Sequence, residues 1–205
     1  MTTPSDLRIG RLSAARLGDF LRFFDHERGP AFADNPDWAG CYCHCFHVPP
    51  PLSWDDFDAT MNRRAMTARI ESSEMEGYLA CSGDTVVGWM NAQPYAKLRH
   101  ACARMRIPQP ELPVALHDAA AIVCFVVAAR YRRRGVARAL LEHALVDFAA
   151  RGVAVVDAFP SAAVAADAAA AEHFHGTLSM FKAAGFAPIA THERTVVVRK
   201  DLRSR

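Results

Sequence analysis

The nine residues Ala119–Val127, read AAAIVCFVV, constrain the fold of this chain more than any other stretch. A short uninterrupted apolar run suits a strand buried on both faces, rather than one that shows alternate side chains to water. Such a strand needs helices or loops over each side of its sheet. The run leaves through Ala128-Ala129-Arg130-Tyr131 into Arg132-Arg133-Arg134-Gly135. From Val136 the residues Ala137, Leu140, Leu141, Ala144, Leu145 and Phe148 recur at helical spacing, and Gly152 stands where a C-terminal cap is expected. A second buried strand, Val153–Phe159, follows directly.

Around this unit the pattern predicts further elements. Leu7–Leu12 alternates as a first strand, and Ser13 is placed to cap a helix carrying Leu17, Phe20, Leu21 and Phe24. Gly29-Pro30, Asn35-Pro36, Gly40 and Pro49-Pro50-Pro51 break the following stretch into a long loop, with Cys41–Val48 as a short strand or extended segment inside it. Ser53 is expected to cap a second helix whose buried face is Trp54, Phe57, Met61, Ala65 and Ala68. Gly77–Cys81 and Thr85–Met90 read as a hairpin about Ser82-Gly83-Asp84. Pro94–Pro113 is irregular, and the alanine-rich Ser161–Ala171 is either helix or loop. Thr177–Ala184 is a short helix ended by Gly185, and Phe186–Ala190 with Thr195–Arg199 forms a final strand pair. This order describes a mixed sheet with helices on its faces.

Length and charge narrow the function. At 205 residues the chain fits one domain spanning 1–205, with loop insertions at 26–52 and 94–118. A net charge of +2 does not favour nucleic acid or an anionic membrane as partner. No apolar run reaches the ~18 residues that a membrane span needs, and Met1–Leu12 lacks a secretory layout, so a cytoplasmic protein is expected. Cys41, Cys43, Cys45, Cys81, Cys102 and Cys124 are irregularly spaced, which suits free thiols in a reducing compartment. The string Cys41-x-Cys43-x-Cys45-x-His47, if extended, puts its ligand atoms on one face of a strand. A tetrahedral metal needs a turn between ligands, so buried thiols are expected there and no metal.

The turn between strand and helix carries the chemistry. Backbone N–H groups left unpaired at the start of a helix, at the positive end of its dipole, suit a phosphate. Gly135 removes a side chain where such a ligand must come close, and Arg132, Arg133 and Arg134 can add charge-assisted hydrogen bonds. The plainer alternative is a solvated basic turn. Two motifs weigh against it. Arg132-x-x-Gly135-x-Ala137 resembles the (Gln/Arg)-x-x-Gly-x-(Gly/Ala) pyrophosphate loop of the GNAT acetyltransferases, and Val127–Arg132 is similar to that family's strand end, Val-x-Pro-Glu-Tyr-Arg. Farther on, Met180-Phe181-Lys182-Ala183-Ala184-Gly185-Phe186 resembles its Leu-Tyr-x-x-x-Gly-Phe. The likeness covers most of residues 77–200.

The resemblance implies an α/β (α+β) fold with a mixed, mostly antiparallel sheet of six to seven strands and helices on both faces. It implies acetyl-CoA as co-substrate and direct attack of a primary amine, from a small molecule or a protein, on the thioester. Phe125, Val126 and Val127 would pair with the pantetheine arm by strand addition, with an amide near Val126 or Val127 polarising the thioester carbonyl. Arg132, Arg133, Arg134, Gly135, Val136 and Ala137 would hold the pyrophosphate. The family's acidic tyrosine is Phe181 here, which leaves the general acid unassigned. Asp157, charged within an apolar run, is the first candidate for base or amine binding, against a structural role. Cys124 and Ser179 are lesser catalytic candidates, for a covalent role and for protonating the sulfur. The acceptor pocket would draw Trp38, Tyr42, His44 and His47 from one side and His192 and Glu193 from the other. A homodimer is compatible with this reading. The loss of the tyrosine keeps open a rival, a noncatalytic acyl-CoA-binding sensor.

Overall fold

A computed structural model describes residues 3–25, 31, 40–162 and 173–203. Seven strands form one sheet in the order β1-β2-β3-β4-β5-β7-β6. They are β1 (Leu7–Arg11), β2 (Tyr78–Ser82), β3 (Thr85–Pro94), β4 (Ala119–Val127), β5 (Val155–Ala158), β6 (Ala187–His192) and β7 (Thr195–Asp201). β4 and β5 run parallel, whereas the other neighbouring pairs are antiparallel. The helices are α1 (Leu17–Phe24), α2 (Ala59–Glu71), α3 (Ala101–Arg104), α4 (Val136–Ala150) and α5 (Leu178–Ala183).

The apolar run of β4 is explained by cover on both sides. Ala119, Ala121 and Val123 join a core that includes Phe20, Phe23 and Phe24 of α1, Met66 and Ile70 of α2, and Trp89. Ala120, Ile122 and Phe125 join a second core with Leu140, Leu141 and Phe148 of α4 and Phe181 of α5. In the first core Phe20 lies 4.6 Å from Phe24 and 5.1 Å from Trp89, centroid to centroid. Burying each such ring contributes roughly 2–3 kcal/mol, enough to fix α1 over the sheet despite its eight residues.

Three local expectations change. Cys41–Val48 is not extended: Tyr42 and Cys43 take left-handed conformations (φ 48° and 58°), and His44–His47 is a tight 3-10 turn. An extended segment would bury alternate residues only, whereas the turn buries Tyr42, Cys43, His44, Phe46 and His47 together. The second helix begins later than expected. Ser53 makes its capping box over the turn Trp54–Asp56, and Asp58 caps α2 by accepting from the Met61 N–H at 2.7 Å. That start rotates the buried stripe to Asn62, Met66 and Ile70 and leaves Met61 46% exposed. Ser13 precedes a 3-10 turn, Ala14–Arg16, without a side-chain capping bond.

Candidate active site

The site is built where β4 parts from β5. The parallel ladder runs from the Ala119–Val155 pair to the Ile122–Ala158 pair and stops. On the other side of β4, Asn91 faces Cys124 and Ala92 faces Ile122, so Val123 is an additional residue. A bulge of this kind bends its strand and increases its twist. Beyond it, β4 keeps β3 on one side and, among the described residues, has no strand on the other. The Ala128 N–H donates to the Val87 carbonyl at 3.0 Å, and alternation then turns the amides of Cys124 and Val126 toward β3 as well. Phe125 and Val127 face the open side. Of the two amides expected to polarise a carbonyl, Val126's is therefore committed to the sheet, because an antiparallel ladder claims every second residue.

Part of the open edge is met by the chain itself. The Phe125 N–H donates to the Phe174 carbonyl at 2.6 Å. His175 Nδ1 lies 2.7 Å from the Val123 carbonyl, which can only accept, so the proton sits on Nδ1. Burial pushes the His175 pKa down to about 4, against the pull of that carbonyl. Arg132 Nε donates to the Val127 carbonyl at 2.8 Å and draws the arginine loop back along the strand.

The loop itself is a concave row of amides. Arg133 (φ 59°) and Gly135 (φ 79°) are left-handed, and Gly135 is the residue from which α4 starts. The first α4 bond is the Ala139 N–H to the Gly135 carbonyl at 2.9 Å; among the described residues nothing accepts from the N–H groups of Arg133 to Arg138. Arg133 is exposed, and Arg134 is half-buried with its guanidinium 5.8 Å from the centre of the Tyr131 ring. Val136 is buried in the second core and Ala137 is packed against it, so these two offer backbone rather than side chains. A Cβ on Gly135 would stand 2.5 Å from Thr3 Oγ1. Amides at a helix start, with guanidinium groups beside them, can bind a phosphate group.

The candidate catalytic residues occupy different settings. Asp157 is fully buried on β5, and both its oxygens are engaged: Arg199 Nε donates at 2.6 Å, Arg199 Nη2 at 2.8 Å and the Tyr95 hydroxyl at 2.7 Å. The same carboxylate raises the Arg199 pKa through its hydrogen bond and keeps the Tyr95 phenol, already burdened by burial, far from ionising. Cys124 is buried, and contact with the Cys43 thiol, then burial, pushes its pKa well up, which keeps the thiol protonated. Ser179 is exposed on α5, its Oγ 3.2 Å from Thr177 Oγ1. Phe181 is fully buried between Phe125 and Phe186, at centroid distances of 6.1 and 5.1 Å.

The acceptor-side candidates are separated by burial. Trp38 lies outside the described residues. Tyr42, His44 and His47 belong to the core: the Tyr42 hydroxyl donates to Asp25 at 2.9 Å, and His44 Nδ1 lies 2.8 Å from Asn62 Oδ1. Burial lowers the pKa of His44 and takes that of His47 down to about 3. His192 and Glu193 stand at the turn between β6 and β7, Glu193 left-handed (φ 49°) and exposed. The sequence reading missed Phe174, His175 and Gly176, whose only signal was a glycine before the Thr177 cap. It also passed over Asn91 and Gln93, amides within the apolar β3, although Gln93 Nε2 donates to Asn91 Oδ1 at 2.7 Å and Asn91 Nδ2 reaches Cys43 Sγ at 3.3 Å. Among the described residues no His, Cys, Asp and Glu cluster can hold a metal ion, and all six cysteines are free.

The acetyltransferase (GNAT) family model matches residues 47–180, which span the strand, the arginine loop and α4. This chain belongs to the GNAT acetyltransferase family. Solved structures of similar fold include YncA from Salmonella typhimurium with acetyl-CoA, at TM-score 0.54 and 12% identity over 98% of this chain and 96% of that one. The PaiA N-acetyltransferase from Thermoplasma acidophilum, in complex with coenzyme A, gives 0.53 and 12% over 95% and 98%. The GNAT domain of PAT from S. lividans gives 0.53 and 18% over 95% and 90%. At these identities the likeness speaks for the GNAT fold alone. No curated protein sequence matches the chain. Among the described residues of this GNAT chain no helix is long and apolar enough to cross a membrane.

Proposed function

We propose that the chain is an acetyl-CoA-dependent N-acetyltransferase, one catalytic domain that passes an acetyl group to a primary amine within a ternary complex. Among the described residues the edge of β4 beyond β5 carries no partner strand and is met by the turn at Phe174 and His175 and by Arg132. The observation that carries this reading is that edge running straight into the uncommitted amides of Arg133–Arg138. A ligand that fits both must be extended and amide-bearing at one end and anionic at the other, as acetyl-CoA is. The pyrophosphate meets the loop amides with Arg132, Arg133 and Arg134 around it, and the pantetheine amides align with Phe125 and Val127. The Phe125 N–H is then the donor best placed for the thioester carbonyl, where it stabilises the tetrahedral intermediate. The amine nitrogen bonds to the carbonyl carbon, the carbon–sulfur bond breaks, and the amine's proton is lost to base or solvent.

With Phe181 buried, no phenol stands at the family's acid position. A thiol of pKa ~8.5 is a tolerable leaving group as thiolate, so the reaction proceeds without it. Asp157 holds β5 to β7 beside the cleft, with both its oxygens bonded to Arg199 and Tyr95. The rival reading, a noncatalytic acyl-CoA sensor, draws on the same phenylalanine. Release of free thiol from acetyl-CoA across a panel of small amines and peptide N-termini separates the two. Turnover with any amine supports the enzyme; tight coenzyme A binding with no thiol release over the whole panel supports the sensor.

A further inference from the structure

We infer that the turn His173–Gly176 is a displaceable plug of the acyl cleft, and that acetyl-CoA binds only as this turn leaves the edge of β4. The inference rests on the proposed use of that edge by the pantetheine arm. The Phe174 carbonyl takes the Phe125 N–H at 2.6 Å, and His175 Nδ1–H takes the Val123 carbonyl at 2.7 Å. These are one donor and one acceptor of β4, two residues apart on the side away from β3. An extended amide ligand would use groups of the same kind at the same spacing. The Phe125 N–H carries one proton and points to one place, so the turn and a ligand cannot both hold it.

The turn is seated by fit as well as by hydrogen bonds. The His175 ring lies 4.0 Å from that of Phe174 and 5.9 Å from that of Phe46, centroid to centroid. Gly176 (φ 78°) sits so tightly that a Cβ would come within 2.9 Å of Met180 and Phe181 and 3.2 Å of Phe125. Docking is nonetheless imperfect, because among the described residues the buried His173 Nδ1 has no hydrogen-bond partner. Such an orphaned atom makes release less costly. Beyond the glycine, Thr177 Oγ1 accepts from the Met180 N–H at 3.2 Å and caps α5, which gives the turn a firm end to swing from. The plug closes an edge of unpaired amides that would otherwise face water or a foreign strand. It also imposes an energetic cost on the ligand: apparent affinity is the intrinsic affinity reduced by the fraction of molecules already open.

Coenzyme A itself is the probe. Calorimetric titration of His175→Ala, which deletes one anchoring bond, should show about fivefold tighter binding than the wild type, the factor worth one ordinary net hydrogen bond. Gly176→Ala, which crowds the seat, should shift affinity in the same direction. Hydrogen exchange on the wild-type protein should show residues 173–177 losing protection on addition of coenzyme A while β4 gains it. If the wild type binds and Gly135→Leu abolishes binding, yet neither turn variant binds more tightly, the cofactor site stands and the plug is wrong. Rising protection at 173–177 on binding overturns it as well, and does so without any variant having to fold. If neither wild type nor variants bind coenzyme A, the cofactor reading fails and takes the plug with it.

Discussion

Acid should destabilise this protein through one histidine in particular. His47 is 2% exposed, and among the described residues its buried Nε2 has no hydrogen-bond partner. Burial first, and then the nearby positive charge of Arg69, hold its pKa near about 3. In the unfolded chain the same ring titrates near ~6.5. The unfolded state therefore takes up a proton at pH values where the folded state refuses it. The stability this neutral ring confers is complete above pH ~6.5 and drains away as pH falls toward 3. At pH 5 the gap is about 1.5 pH units, or about 2 kcal/mol at ~1.4 kcal/mol per unit. The figure depends on the unfolded value alone so long as the folded one lies below 5. With an m-value of about 2–3 kcal/mol/M, that is a drop of roughly 0.7–1 M in the urea midpoint between pH 7.5 and 5. His47→Gln should start less stable at pH 7.5, yet lose about 2 kcal/mol less than the wild type over the same interval. His44 and His175, also depressed by burial, supply the slope that remains in the variant. Equal losses in the two proteins would show that His47 is not kept neutral by the fold.

Three further outcomes are expected. Gly135→Leu places a side chain at φ 79° and against Thr3, so coenzyme A affinity by calorimetry should fall at least about tenfold, and unchanged affinity would remove the loop from the site. Asp157→Asn leaves the Arg199 guanidinium without its carboxylate and should cost about 3 kcal/mol in chemical denaturation with coenzyme A affinity intact. A stable Asp157→Asn with a displaced pH–rate profile would return that residue to the role of base. Phe181→Tyr introduces a hydroxyl into a fully buried position; it should lower stability by about 1–3 kcal/mol and leave turnover no faster, whereas a gain in thiol release would show that the ring reaches the sulfur.

Where a feature belongs to the backbone, the sequence showed it plainly. Ala119–Val127 reads as a strand covered on both sides, and the glycine and arginines after it read as a turn into a helix whose first amides lack partners. Those readings depend on periodicity and on which residues tolerate a left-handed backbone, properties a residue carries wherever it is folded. The side chains were harder to place. Asp157 looks like a base in a linear reading because nothing nearby in sequence neutralises it; its partners, Tyr95 and Arg199, come from a distant turn and from β7. The alternation of Cys41–His47 suggested a one-sided strand, and tertiary packing replaced it with a turn that buries both kinds of residue. Whether an edge amide is open or occupied is likewise invisible along the chain. The sequence by itself determined the strand, the loop and the helix start; only the fold decided that Phe174 would stand at Phe125, because that contact depends on where β4 and β5 part company.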